Sequence, residues 1–192
     1  LGLDADERRR HADDILRLLA GRDQPWVVAG DFNEKADAPA WRALAARRPA
    51  SVGVHIGFDE RLAHLVEGGA DLFLMPSRYE PCGLNQMYSQ RYGTVPVVRA
   101  TGGLVDSVVP WDPATRKGTG FLFADYSGDA MLGALAQALD VFGRPADWKR
   151  LQQNGMKADF SWDRSARAYV KVYKGVIAAR RTRRPKAPVA RG

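Results

Sequence analysis

Apolar residues recur along the chain in two alternating patterns, short continuous runs and runs with a helical period. The continuous runs predict strands at 26–29, 52–56, 71–75, 95–98 and 120–123. The periodic runs, with their capping and turn residues, predict helices at 4–20, from near 39, and at 60–66, 84–91, 103–108, 129–142, 146–156 and 162–178. Strands that alternate with helices at this spacing predict an α/β sandwich with a mainly parallel sheet and trailing C-terminal helices.

The composition excludes several classes of protein. Of the 192 residues 45% are hydrophobic and 27% are charged, which excludes a wholly disordered or collagen-like chain. No apolar run reaches the roughly 18 residues of a membrane span, so we expect no membrane partner. The first residues have neither a basic region nor an apolar core, and they lack an initiator methionine. We therefore expect no secretory signal and interpret the chain as a fragment.

Positive charge is concentrated at one end of the chain. Six of the 29 Lys and Arg residues lie in the last thirteen positions, which contain no acid, so the remainder holds 23 bases and 22 acids. A nucleic-acid-binding domain spreads positive charge over a folded face, so we expect no specific nucleic-acid partner. Residues 179–192 are interpreted as a disordered basic tail, with nonspecific contact to a polyanion as the alternative. The single cysteine, Cys82, can form no internal disulfide, which favours the cytoplasm.

Two loops have the features of a ligand site. Residues 76–84, PSRYEPCGL, follow the most apolar strand and precede a helix, and ligands of open α/β sheets bind beyond such strand ends. Gly83 lets backbone approach a ligand, and the N–H groups of a helix that begins near Leu84 favour an anion. Residues 99–104, RATGGL, repeat this arrangement one βα unit later. With Glu80 between them, the two loops predict a nucleotide-diphosphate site.

These loops lie in a longer stretch, 56–108, that closely resembles the bacterial glycogen synthases and plant starch synthases, as does the later run GFLF…DFSWDRSA. The resemblance covers about residues 50–178. It implies transfer of glucose from ADP-glucose to the non-reducing end of an α-1,4-glucan, with retention of the anomeric configuration. It also implies that residues 49–178 form a Rossmann-like, nucleotide-sugar-binding domain, the C-terminal half of a GT-B glycosyltransferase.

The same resemblance assigns roles to individual residues. Glu80 matches the acid of the EPCGL motif, which contacts the donor glucose and supports the developing oxocarbenium charge. The turn beside the donor is matched by Cys82, Gly83 and Leu84, and the backbone contacts to its phosphates by Thr101, Gly102 and Gly103.

Two side chains complete this predicted site. Tyr88 is expected on the side of its helix that faces the nucleoside, and Arg78 either reaches the donor or forms a surface salt bridge. The family uses no metal or other cofactor, and no His, Cys and Asp cluster has metal-ligand spacing.

Residues 1–48 fit a different family better. The run WVVAGDFN at 26–33 resembles the GDFN strand of the endonuclease/exonuclease/phosphatase family, in which Asp31 and Asn33 would orient water and phosphate near a divalent metal. The other residues that such a hydrolase needs are not found, so we interpret 1–48 as a partial segment joined to the second family. The sequence leaves open whether this segment joins the sheet. It also leaves open that the segment belongs to a divergent synthase whose local turn came to read GDFN.

An incomplete glycosyltransferase is therefore the leading interpretation. The acceptor glucan and some phosphate contacts would require parts of the family's fold that do not match here, so we expect recognition of ADP-glucose without efficient turnover. The alternatives are a noncatalytic nucleotide- or glucan-binding remnant and a metal-dependent phosphoesterase fragment.

Overall fold

A computed structural model of the chain describes residues 28–30, 55, 57 and 59–182, with the single positions 10, 13, 14, 17 and 46. The described residues fall into two compact units that divide between Ala158 and Asp159. Most of the helices predicted at 4–20 and near 39, most of the strand at 52–56 and the tail beyond 182 lie outside the described residues.

The first unit contains a parallel sheet with helices between its strands. Its strands are β1 (Val28–Gly30), β2 (Leu72–Met75), β3 (Val95–Arg99) and β4 (Phe121–Phe123), which pair in that order, and every pair is parallel. Its helices are α1 (Glu60–Gly69), α2 (Asn85–Tyr92), α3 (Gly103–Ser107), α4 (Gly128–Phe142) and α5 (Pro145–Met156). The predicted α/β fold with a parallel sheet is confirmed.

The apolar run of strand β2 is continuous because both faces of the strand are covered. Leu72 and Leu74 pack in one hydrophobic cluster with residues of α4 and α5. Phe73 and Met75 point to the opposite face and pack with Leu104 of α3. None of these four strand residues is more than 5% exposed. Because successive side chains of a strand point to opposite faces, a strand covered on both sides needs apolar residues at every position.

Part of the N-terminal segment joins the same sheet. Val28 of β1 is paired with Leu72, and Gly30 with Leu74, in the parallel register. The question that the sequence left open for residues 1–48 is thus answered for 28–30. These residues form one strand of the sheet that carries the two predicted ligand loops.

The second unit contains one long helix, α6 (Trp162–Thr182), which extends four residues beyond the predicted end at 178. Several large apolar side chains along it are exposed, from Trp162, which is 86% exposed, to Ile177. The rings of Tyr169 and Tyr173 stack one turn apart, with centroids 6.3 Å from each other. Over the part of the chain that the structure describes, no helix combines the length and the apolar character of a membrane span.

Candidate functional site

The two predicted loops meet at the carboxyl edge of the sheet, because β2 and β3 are parallel neighbours. The backbone N–H of Gly103 donates a hydrogen bond of 3.0 Å to the carbonyl oxygen of Glu80. This bond joins the loop after β2 to the first residue of α3. The half-buried Glu80 is therefore held directly beside the Thr101-Gly102-Gly103 turn.

Gly102 makes this close approach possible. Its φ of 49° and ψ of −135° lie in a region that residues with a side chain rarely adopt. A Cβ at this position would overlap the carbonyl oxygen of Glu80 and would lie 2.8 Å from its carbonyl carbon. Backbone therefore packs on backbone here, and only glycine fits.

The helix that follows the EPCGL motif begins without a side-chain cap. Asp59 caps α1 by accepting the N–H of Leu62, and Ser127 caps α4 by accepting the N–H of Ala130. The corresponding position of α2 is Leu84, whose side chain is apolar and 53% exposed. An uncapped first turn leaves N–H groups for water or an anion, as the sequence predicts for this loop.

The turn at α3 differs from the sequence expectation in one respect. The resemblance implies backbone contacts to the donor phosphates from Thr101, Gly102 and Gly103, but the N–H of Gly103 donates to the carbonyl oxygen of Glu80. The half-buried Thr101 donates its own N–H to the carbonyl of Arg99, 2.9 Å away. Gly102 is the exposed residue of this turn, so its backbone is the most accessible to a ligand.

The remaining predicted residues lie around these loops. The side chains of Arg78 and Cys82 are exposed, and Cys82 carries a free thiol. Gly83 has a φ of 71° and completes the turn before α2. Tyr88 is 43% exposed, and its ring lies 6.1 Å from the ring of His64 on α1. The structure thus gathers Glu80, Cys82, Gly83, Gly102 and Gly103 into direct contact, whereas Tyr88 lies along α2 towards α1.

Arg99, at the end of β3, has a role that the sequence analysis missed. Its Nη1 donates to the carbonyl oxygens of Arg78, at 2.6 Å, and Ser77, at 3.4 Å. Its Nε donates to the carbonyl of Ala124 beyond β4, and the guanidinium lies 5.3 Å from the centre of the Tyr126 ring. One side chain thus connects the loops that follow β2, β3 and β4. An arginine at a strand end was the available signal, but the sequence does not identify its acceptors.

Replacement of Arg99 by methionine is expected to loosen this edge of the sheet. Loss of charge-assisted hydrogen bonds to three carbonyls should lower the stability by about 2 kcal/mol, or roughly 4–8 °C in Tm. Arg91→Met is the matched control, because Arg91 donates to the single carbonyl of Met156 from an exposed position. Thermal unfolding followed by circular dichroism measures both variants, and equal losses of Tm would contradict the assignment to Arg99.

Two further predictions concern metals and the N-terminal segment. Asp31 and Asn33, the residues of the alternative phosphoesterase site, lie outside the described residues. Within the described ranges, no three His, Cys, Asp or Glu side chains are grouped so as to hold a metal ion.

The family model and the individual proteins that match this chain agree with one another. Residues 7–155 match the family model described as glycosyl transferases group 1. The chain is 54% identical over 163 residues to a glycogen synthase of Thioalkalivibrio sulfidiphilus, covering 83% of this chain and 34% of that protein. It is 50% identical over 155 residues to a glycogen synthase of Koribacter versatilis, covering 81% and 32%. The chain therefore spans about a third of the length of these relatives.

Among solved structures, the chain resembles the catalytic domain of starch synthase IV from Arabidopsis thaliana bound to ADP and acarbose. The TM-score is 0.65 at 26% sequence identity, over 91% of this chain and 43% of that one. This likeness confirms the expected fold, a Rossmann-like domain of the GT-B kind. The family match begins at residue 7 and so includes most of the segment that resembles a phosphoesterase, which leaves the division near residue 48 a prediction.

Proposed function

The chain belongs to the group 1 family of glycosyl transferases, and from this premise we propose that it is a donor-binding domain of the glycogen or starch synthase type. The proposed reaction transfers glucose from ADP-glucose to the non-reducing end of an α-1,4-glucan. The names of the two curated relatives, which are about half identical to the chain, support this choice of reaction. The ADP in the starch synthase IV structure supports the choice of nucleotide.

The observation that carries the proposal is the hydrogen bond between Gly103 and Glu80. It fixes the backbone of Glu80, whose side chain is a carboxylate, beside the glycine turn formed by Thr101, Gly102 and Gly103, and the uncapped start of α2 lies at the same edge of the parallel sheet. A nucleotide sugar needs this combination, since it has an anionic diphosphate next to a carbon that becomes positively charged during transfer. Ligands of open α/β sheets bind at this edge.

Each part of the site has a proposed task. The diphosphate lies against the backbone of Gly102 and the first turn of α2, where N–H groups and the helix dipole favour negative charge. The carboxylate of Glu80 faces the donor glucose and stabilises the oxocarbenium-like transition state electrostatically. Arg78 and Tyr88 contribute donor contacts, and Cys82 and Leu84 line the turn.

The proposed location is the cytoplasm.

The chain by itself is proposed to bind the donor without efficient transfer. Its relatives are about three times as long as the matched segment, and catalysis by positioning requires every contacting group to be present. We assign the binding of the acceptor glucan, and further contacts to the phosphates, to the part of such proteins that this chain does not match.

Calorimetric titration with ADP-glucose, followed by incorporation of radiolabelled glucose into glycogen, tests the proposal. Binding without incorporation is the expected result for the chain alone. Incorporation would refute the claim that the unmatched part is essential. Absence of binding to ADP-glucose, with UDP-glucose as the comparison donor, would refute the donor-binding function itself.

A further inference from the structure

Gln86, the second residue of α2, is buried beneath both candidate ligand loops. Its side chain is fully buried. Its Nε2 lies 3.2 Å from the carbonyl oxygen of Cys82 and 3.1 Å from that of Gly83, both in the loop after β2. The same nitrogen donates to the hydroxyl of Ser107 at 3.0 Å. A single amide group therefore connects the EPCGL loop to α3.

The hydroxyl of Ser107 continues this connection to the glycine turn. Its Oγ donates a hydrogen bond of 2.7 Å to the carbonyl oxygen of Gly103. The N–H of Gly103 in turn donates to Glu80. The hydrogen bonds thus form a closed path from Gln86 through Ser107 and Gly103 to Glu80, and back along the loop to Cys82.

Two observations indicate that the Gln86 side chain is needed for the N–H groups of its amide and not only to fill space. A Cβ at Gly83 would lie 2.5 Å from Oε1 and 2.8 Å from Nε2 of Gln86, so the loop turns tightly over the amide. The Oε1 atom is buried and accepts no hydrogen bond from the described residues. A buried carbonyl without a partner is unfavourable, so Gln86 would be a poor choice for filling space alone. Glutamate has no amide donor and would introduce a buried charge.

We propose that Gln86 is a positioning residue that, through Ser107, holds the EPCGL loop and the glycine turn in one fixed arrangement for the donor. The proposal rests on the proposed donor-binding function for its consequence, although the connection itself can be measured without a ligand. Groups held in place before the ligand arrives lower the cost of ordering them on binding. Gln86 does not touch the donor in this role, and it acts through the backbone of Cys82, Gly83 and Gly103.

The chain offers a matched control one turn further along α2. Gln90 is also buried, and its Nε2 donates to the carbonyls of Gln86 and Ser107 at 3.0 Å each. Its Oε1 is also buried without a partner among the described residues. Its side chain therefore has the chemistry and burial of Gln86, but among the described residues its hydrogen bonds go to Gln86 and Ser107 and not to the EPCGL loop. Gln86→Met and Gln90→Met remove the same group from two neighbouring buried positions.

Amide hydrogen exchange at Gly103, measured by NMR on the unliganded chain, separates positioning from a merely structural role. In Gln86→Met we expect exchange at Gly103 to accelerate on the order of tenfold, the factor that corresponds to one lost hydrogen bond. The affinity for ADP-glucose should fall by a similar factor, also about tenfold. Gln90→Met is expected to lower Tm comparably while leaving exchange at Gly103 and donor affinity unchanged.

Ser107→Ala provides a second variant should Gln86→Met fail to fold. It removes the middle of the path and is expected to accelerate exchange at Gly103 as Gln86→Met does. In the double variant the two effects should not add, because both break one path. Unchanged exchange at Gly103 in a folded variant, or equal acceleration in Gln90→Met, would overturn the proposal. If the wild type does not bind ADP-glucose, the donor-binding function fails, while exchange still decides the positioning role.

Discussion

Replacement of Gly102 by alanine is expected to eliminate measurable nucleotide binding. The new Cβ would overlap the carbonyl oxygen of Glu80, so the glycine turn and the EPCGL loop must separate and the Gly103 hydrogen bond must break. Displacement of positioning groups by about 1 Å can cost 100-fold, and we expect at least that loss of affinity for ADP-glucose. The strained backbone at φ 49° should add a loss of stability of about 1–3 kcal/mol.

Gly133→Ala is the control for this substitution. Gly133 is an exposed residue of α4, and a Cβ there meets no atom within 4 Å. Alanine is the better helix former by about 1 kcal/mol, so this variant should be unchanged or slightly more stable. Calorimetric titration and thermal unfolding measure both variants. Retention of ADP-glucose affinity by Gly102→Ala would mean that the two loops need not touch in the binding conformation.

Replacement of Glu80 by glutamine is expected to separate recognition of the sugar from recognition of the nucleotide. If its carboxylate faces the donor glucose, the affinity for ADP-glucose should fall roughly tenfold or more, the effect of a lost charged hydrogen bond. The affinity for ADP should be unchanged, because ADP lacks the glucose. Where transfer is measurable, it should fall by about 100- to 1,000-fold, as for other groups that stabilise a developing charge.

The control for Glu80→Gln is Glu60→Gln, which makes the same change of charge at an exposed position in the first turn of α1. Titrations with ADP and with ADP-glucose are compared for the two variants and the wild type. Equal weakening of both ligands by Glu80→Gln would contradict a contact with the sugar. No effect on either ligand would remove Glu80 from the proposed site.

The meeting of the two candidate ligand loops at one edge of the sheet was predictable from the sequence. The apolar run at 71–75, the glycines at 83, 102 and 103 and the helix that begins near Leu84 together indicate a ligand loop at a strand end. The structure brings these two loops together, because the loops after two adjacent parallel strands meet at the same edge of the sheet. The chemistry proposed for this edge came from the resemblance to glycogen and starch synthases, because the pattern alone left it open.

The roles of Arg99, Gln86 and Ser107 were not predictable in the same way. Each depends on groups distant in the chain: Arg99 bonds to Ala124, and Gln86 bonds to Ser107, 21 positions away. A polar residue within a helix indicates a solvent-exposed face, and the sequence contains no signal that Gln86 is fully buried. The engagement of the Gly103 N–H by Glu80 was missed for the same reason.

The sequence by itself determined the alternation of strands and helices, the parallel sheet and the two loops at its carboxyl edge. These features depend on residue preferences over a few neighbouring positions, which a sequence displays directly. Only the tertiary structure decided which backbone groups are occupied, which remain accessible to a ligand, and which buried side chains connect the loops. Those properties depend on atoms that are distant along the chain and become neighbours only when the sheet and its helices pack, so hydrogen bonding across that packing determines the shape of the site.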